Sequence, residues 1–63
     1  MRYMIFDNQG RCIVLPRSTA AEAIDVIARA IAGKQASTDE KVKAWERLRD
    51  INGYRVVRTI QHE

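Results

Sequence analysis

The chain has little of what usually stabilises or activates a very small protein. Its 63 residues include one cysteine, one histidine and one proline. A single cysteine cannot form an internal disulfide, and no Cys/His cluster is present to hold a structural metal ion. No apolar run approaches the ~18 residues of a membrane-spanning helix, and no secretory pattern precedes the domain. We therefore expect a cytoplasmic protein with no membrane partner, stabilised by packing, dimerisation or a binding partner.

Residues suited to catalysis are scarce as well. The one histidine, His62, lies close to the C-terminus, where chains usually fray. Asp39 and Glu40 fall in the first turn of a predicted helix, where negative charge favours the helix dipole without any catalytic role. Gly33-Lys34 lacks the preceding glycine and the following Ser/Thr of a phosphate-binding loop. We expect a protein that is not an enzyme and that takes no cofactor and no metal.

What the chain does have is enough apolar residues for one core. Hydrophobic residues make up 46% of it, so we expect one compact domain over residues 1–63. Strand and helix periodicities alternate with turn residues. The predicted elements are a strand at 2–6, a strand at 11–15, a helix from Ser18 or Thr19 to Gly33, a helix from Thr38 to Ile51, and a strand at 54–60. The predicted fold class is α+β, a small three-stranded sheet in the order β-β-α-α-β with two helices packed on one face.

Local signals support these boundaries. Gly10 can supply the positive φ of a four-residue hairpin loop, because glycine has no Cβ to clash there. Thr19 with Glu22, and Ser37 with Glu40, have the spacing of capping boxes, in which each side chain satisfies the other residue's free backbone amide. Both helices should therefore begin directly after these cap residues.

The predicted hairpin is apolar on both faces, whereas a half-exposed sheet alternates apolar with polar residues. Closing the loop on Phe6 and Arg11 predicts the pairs Ile5–Cys12, Met4–Ile13 and Tyr3–Val14. Pro16 has no amide hydrogen and should end the second strand. On side-chain volume, we expect the helices to cover Met4, Phe6, Ile13 and Leu15. The open face would then carry Tyr3, Ile5, Cys12, Val14, Arg55, Val57 and Thr59.

Two single residues have simple expected roles. Trp45 lies on the apolar stripe of the second helix and is expected to anchor the core. Cys12 lies inside an apolar run and is expected to be an inert, buried thiol.

The net charge of +3 is unevenly distributed. The helical segments balance acids and bases, so the excess falls on residues 1–17 and 54–63, where every basic residue is arginine. An apolar patch edged by arginine is typical of the centre of a protein interface. Arg55 and Arg58 have opposite strand parity, so only one of them can lie on the open face. We predict partner contacts through Tyr3, Arg11, Arg55, Val57 and Arg58.

Two segments resemble a known family. Residues 18–24, which open the first helix after the hairpin, and residues 53–58, which open the last strand, are similar to the small RNA polymerase inhibitor of T-odd lytic phages. The resemblance implies a strand-strand-helix-strand fold that blocks a host polymerase by binding its jaw. Arg58 matches one arginine of that family's contact strand, while Ile60 stands at the neighbouring arginine. Glu22 is the one match to the family's acidic helix strip, and the second helix has no counterpart.

Three functional hypotheses follow. The first is a non-enzymatic protein-binding module, encoded by a phage or mobile element, that inhibits or modulates a larger host complex by occluding one of its surfaces. Anti-CRISPR proteins share this size and architecture. The second is a dimeric DNA-binding regulator, because Ile13 to Pro16 followed by two capped helices is similar to the ribbon-helix-helix pattern. The third is a homodimer whose open faces bury each other.

Overall fold

The computed structural model describes residues 1–60. Its elements, in chain order, are β1 (Arg2–Phe6), β2 (Cys12–Arg17), α1 (Ala20–Ala32), α2 (Thr38–Asp50) and β3 (Arg55–Thr59). The strands form one sheet in the order β2-β1-β3, and both pairings are antiparallel. β2 and β3 therefore run parallel to each other on either side of β1, and the two helices connect them. The predicted α+β fold and its β-β-α-α-β order are confirmed.

The turn between β1 and β2 is organised by Asp7. Its carboxylate accepts hydrogen bonds from the backbone N–H groups of Gln9 and Arg11, both at 2.9 Å, and from Arg11 Nε at 3.1 Å. The Asp7 N–H donates to the Arg11 carbonyl at 2.9 Å, and Gly10 has the expected positive φ of 80°. The loop therefore closes on Asp7 and Arg11 rather than on Phe6 and Arg11.

This closure changes the hairpin register, so the predicted strand pairs are wrong. Phe6 lies opposite Cys12, because the loop begins one residue later on β1 than expected, and a register shift between Phe6 and Ile5 then places Ile5 opposite Val14. The register shifts twice along β2, which is an edge strand. β2 also continues through Pro16 instead of ending there. An edge strand tolerates proline because half of its backbone amides have no neighbouring strand to pair with.

The helices cover the opposite face of the sheet from the one that side-chain volume predicts. Ile5 is fully buried and Val14 nearly so, whereas Leu15 is 73% exposed and Ile13 40% exposed. The buried apolar residues are Ile5, Val14, Ala23, Ile27, Ala28, Trp45 and Leu48. Ala23 on α1 has no long side chain, so α1 can lie close to the sheet and leaves room for Ile5 rather than for a larger residue. The expectation that Met4, Phe6, Ile13 and Leu15 form the inner face is therefore wrong.

Both helices begin at the predicted caps. The Thr19 hydroxyl accepts the N–H of Glu22 at 3.1 Å. At α2 the capping box is complete, since the Glu40 N–H donates to Ser37 Oγ at 3.2 Å and the Ser37 N–H donates to the Glu40 carboxylate at 3.5 Å. Gly33 caps the C-terminal end of α1. These local signals fix where the helices begin, and Trp45 and Leu48 fix which side of α2 is buried.

An ion-pair cluster joins the two helices. The Asp25 carboxylate on α1 accepts hydrogen bonds from Lys41 Nζ on α2 at 3.0 Å and from Arg29 Nε at 2.9 Å. The hydrogen bond from Lys41 and the two positive charges lower the pKa of Asp25 below its ordinary value. The cluster therefore favours the ionised form of Asp25 and links α2 to α1 through one partly exposed ion pair.

The α2–β3 connection is packed against the β1–β2 turn. Gly53 has a φ of 73°, and a Cβ at this position would lie 3.0 Å from the Cβ of Asn8. The next residue, Tyr54, donates its N–H to the Leu48 carbonyl at 3.0 Å. Only glycine meets both the backbone and the steric requirement at position 53.

We expect the Asp7 turn to make folding stability pH-dependent. The hydrogen bonds from Arg11 and Gln9 lower the pKa of Asp7 below the ordinary aspartate value. A carboxyl with a lowered folded pKa stabilises the fold above its unfolded pKa of about 3.9, and this stabilisation is lost as pH falls through the folded value. The melting temperature of the wild type should therefore fall steeply as the pH drops below about 4.

The matched variant for this prediction is Asp7→Asn. It should melt at a lower temperature than the wild type near neutral pH, because the neutral amide is a weaker acceptor for the three donors. It should also lose less stability between neutral and acid pH. An acid transition as steep in Asp7→Asn as in the wild type would show that other carboxylates, such as Asp25, cause it.

Candidate protein-binding surface

One side of the sheet faces away from the helices, and we call it the outer face. The β1–β3 register places Arg2 opposite Thr59, Met4 opposite Val57 and Phe6 opposite Arg55. On the other side of β1, Phe6 lies opposite Cys12. Directly opposed residues point to the same side of a sheet. The outer face is therefore made of Arg2, Met4, Phe6, Cys12, Arg55, Val57 and Thr59.

Among residues 1–60, no helix and no strand lies on the outer face. α1 packs on the other side, mainly over β1 and β2, and α2 packs against α1. Met4, Phe6 and Val57 are nevertheless only partly exposed. They shield one another from water, as neighbouring side chains on one face of a sheet do. The result is a small, contiguous apolar centre with no protein layer over it.

β2 extends this apolar surface toward one edge of the sheet. Ile13 and Leu15 are exposed, and both lie where the β2 register shifts against β1. Single exposed apolar side chains are ordinary, but a cluster beside an uncovered sheet face is not. The edge at β2 is therefore both irregular and apolar.

Arg55 is the arginine that the fold places beside the apolar centre. It is exposed and lies opposite Phe6. Within the part of the chain that the structure describes, no carboxylate forms an ion pair with it. Arg11 differs, since its Nε is bonded to Asp7 at 3.1 Å. Arg55 thus has a guanidinium available for an external acceptor, whereas Arg11 already serves the turn.

Two of the four basic residues of α2 are paired with acids, and the helix carries as many acidic as basic residues. Arg49 Nε lies 2.9 Å from the Asp50 carboxylate. This hydrogen bond raises the pKa of Arg49 and lowers the pKa of Asp50. Lys41 is likewise paired with Asp25. α2 therefore lacks the uninterrupted basic face with which a groove-reading helix neutralises phosphates.

The structure brings together two of the five predicted contact residues, Arg55 and Val57, on the outer face. Arg11 lies in the β1–β2 turn. Tyr3 and Arg58 oppose each other on the helix side of the sheet, where Tyr3 packs against the core. The expectation that Tyr3 lies on the open face is therefore wrong.

Sequence reasoning missed Met4 and Phe6 because it assigned them to the core. Cys12 lies on the open face, as expected, but the prediction of a buried thiol is wrong, because this residue is exposed and its Sγ donates to the Val14 carbonyl at 3.2 Å. Asp7 was the signal that could have placed Cys12 on the same face as Phe6, although it does not indicate which face the helices cover. An aspartate that accepts bonds from the residues two and four positions later closes the loop on itself, and that closure puts Cys12 beside Phe6.

Other surface features are less specific. An apolar groove of about 400 Å³ lies between α1 and α2, lined by Ala21, Ile24, Asp25, Ala28, Thr38, Lys41, Val42 and Trp45. Within residues 1–60, no group of three or more His, Cys, Asp or Glu side chains could hold a metal ion. No helix in the same range has the length and apolar character needed to cross a membrane. His62 lies outside the described residues.

Comparison with known proteins leaves the surface to be interpreted from its own geometry. No family model matches the chain, and neither a curated protein nor a solved structure matches it.

Proposed function

We propose that this protein is a non-enzymatic binding module that docks on another protein through the outer face of its sheet. The observation that carries this proposal is the apolar centre of Met4, Phe6 and Val57, which no element of residues 1–60 covers. Such a centre, with Arg55 beside it, has the composition of a protein interface core. Its burial would supply the driving force for binding.

Arginine at the edge gives this surface a preferred kind of partner. A guanidinium beside an apolar patch pairs best with a carboxylate on the opposing surface, and its planar fork can form two hydrogen bonds with it. We therefore expect the partner to present an apolar patch with a neighbouring Asp or Glu. By occluding such a patch, the protein would inhibit or modulate the larger complex to which the partner belongs.

Nucleic acid is the second candidate, as part of a dimeric DNA-binding regulator. Arg55 on the outer face favours it, because arginine also binds phosphate. The apolar centre and the balanced charge of α2 weigh against DNA binding. Salt separates the two, since phosphate binding weakens steeply and log-linearly with salt concentration, whereas burial of an apolar face does not.

We expect a single charge at the centre of the outer face to abolish binding. Met4→Glu places a carboxylate between Phe6 and Val57, and burying it against a partner costs more than the lost contacts can return. Tagged wild-type protein should retain a partner from nuclease-treated bacterial lysate at moderate salt, identified by mass spectrometry. Met4→Glu should retain less than a tenth as much, since a lost hot-spot contact is worth about tenfold or more.

The matched control is Ile51→Glu, which makes the same kind of change at a residue 78% exposed at the end of α2. It should bind as the wild type does. Arg55→Ala should weaken binding about tenfold without changing the melting temperature. Equal capture by Met4→Glu and the wild type would reject the outer face as the docking surface. Capture that nuclease abolishes would favour the DNA-binding alternative.

A further inference from the structure

The two edges of the sheet are built differently. The β2 edge carries two register shifts and Pro16, devices that prevent further strand pairing. The β3 edge has neither. β3 pairs with β1 in unbroken register from Arg55 to Thr59, and it ends the sheet among the described residues. A regular edge of this kind presents a row of backbone donors and acceptors with the spacing of a strand partner.

The sequence of β3 suits pairing with a second copy of itself. In an antiparallel pair centred on Val57, each Arg55 lies opposite Thr59 of the other copy, and each Arg58 lies opposite Val56. No two arginines oppose each other in this register. A parallel arrangement would place every arginine beside its own copy, and like charges directly opposite are destabilising. The two arginines therefore disfavour the parallel pairing and leave the antiparallel, two-fold pairing unopposed.

The size of the outer face gives a second reason to expect two copies to pair at β3. Three strands, each about five residues long, cover about 17 Å by 14 Å, or roughly 240 Å². A standard protein interface buries about 800 Å² on each partner, so one copy offers a small platform. Pairing at β3 joins the two outer faces into one six-stranded surface of roughly twice that area, with Val57 and Met4 of both copies at its centre.

We propose that this protein forms a symmetric dimer in which the β3 strands of two copies pair antiparallel around Val57, making one continuous six-stranded sheet. The regular register and the charge pattern of the β3 edge carry this pairing, and only the argument from the size of the outer face rests on the proposed function. α1 contacts β3 less than it contacts β1 or β2, so the helix layer is thinnest beside this edge. The interface is isologous, since each residue of one copy meets its counterpart across a two-fold axis.

Disulfide trapping tests the register directly. The exposed Cys12 is first replaced by serine in every variant. Directly opposed Cα atoms in an antiparallel pair lie about 4.5–5.5 Å apart, within the range a disulfide spans. Val57→Cys should therefore cross-link between copies within minutes under mild oxidation. Arg55→Cys is the matched control, because its two copies would stand four residues apart along the strands, about 13 Å.

Sedimentation across a concentration series tests the pairing without cross-links. The wild type should move from monomer to dimer as concentration rises. Thr59→Arg should weaken dimerisation about tenfold, because it creates two like-charge pairs with Arg55 across the axis. Thr59→Glu should strengthen it by creating two opposite-charge pairs. Gln35→Arg adds the same charge in the exposed linker between the helices and should behave as the wild type.

Melting curves of the same variants in dilute solution confirm that each monomer is folded. A wild type that stays monomeric at millimolar concentration would overturn the proposal. Cross-linking of Arg55→Cys as fast as Val57→Cys would also overturn it, since it would place the two-fold axis elsewhere. Either result is independent of whether a protein partner binds the outer face.

Discussion

Replacing Ile5 with alanine is expected to remove about half of the protein's stability, whereas the same change at its neighbour Met4 removes little of it. Ile5 is fully buried in the central strand and contacts the helix layer, while Met4 points to the outer face. An Ile→Ala change in a core costs about 2–5 kcal/mol. The whole chain has roughly 3–9 kcal/mol of stability at ordinary values per residue. Met4→Ala should cost about 1 kcal/mol or less.

Urea denaturation followed by far-UV circular dichroism measures both variants against the wild type. Leu15→Ala, at a residue 73% exposed on the neighbouring strand, is the control for truncating an apolar strand residue without creating a cavity. It should lie close to the wild type. A Met4→Ala variant less stable than Ile5→Ala would mean that the helices cover the other face of the sheet, as side-chain volume alone predicts.

The two predictions that depended on local chemistry, the helix starts and the order of elements, were confirmed because their signals are short-range. A Ser or Thr three residues before a Glu satisfies helix amides regardless of the rest of the fold. The face of the sheet is decided by longer-range packing. Ala23 allows α1 to come close to the sheet, and the space that remains fits Ile5 and Val14. The side-chain volumes of the sheet residues alone therefore do not predict which face is buried.

The sequence predicts what kind of surface the candidate site is, but not which residues form it. An apolar open face edged by arginine follows from a hairpin that is apolar on both sides, and the structure has such a face. Which residues belong to this face depends on the hairpin register and on which side of the sheet α1 covers. Strand parity placed Val57 and Arg55 on this face correctly. Tyr3 was wrongly predicted to lie on it, and Met4 and Phe6 were wrongly assigned to the core. Asp7 moved the loop closure by one residue, and a shift of one residue changes which side chains meet across a strand pair.

Replacing Trp45 should also destabilise the protein strongly, because few other interactions attach α2 to the rest of the fold. Only Trp45 and Leu48 of this helix are buried. Its ion pair from Lys41 to Asp25 is partly exposed, and pairs of that kind contribute little. Trp45→Ala removes the largest side chain of the core and should cost about 3–5 kcal/mol. Trp45→Phe should recover part of this loss, since it keeps an aromatic ring in the same space.

Val42→Ala, one turn earlier on α2 at a residue 48% exposed, is the control and should cost about 1 kcal/mol or less. Far-UV circular dichroism with urea compares all three variants, since the tryptophan signal is lost in two of them. Because Trp45 belongs to the same buried cluster as Ile5 and Val14, Trp45→Ala should unfold in a single transition with the sheet. A two-step curve, with α2 melting before the strands, would show that the hairpin and α1 hold together without it.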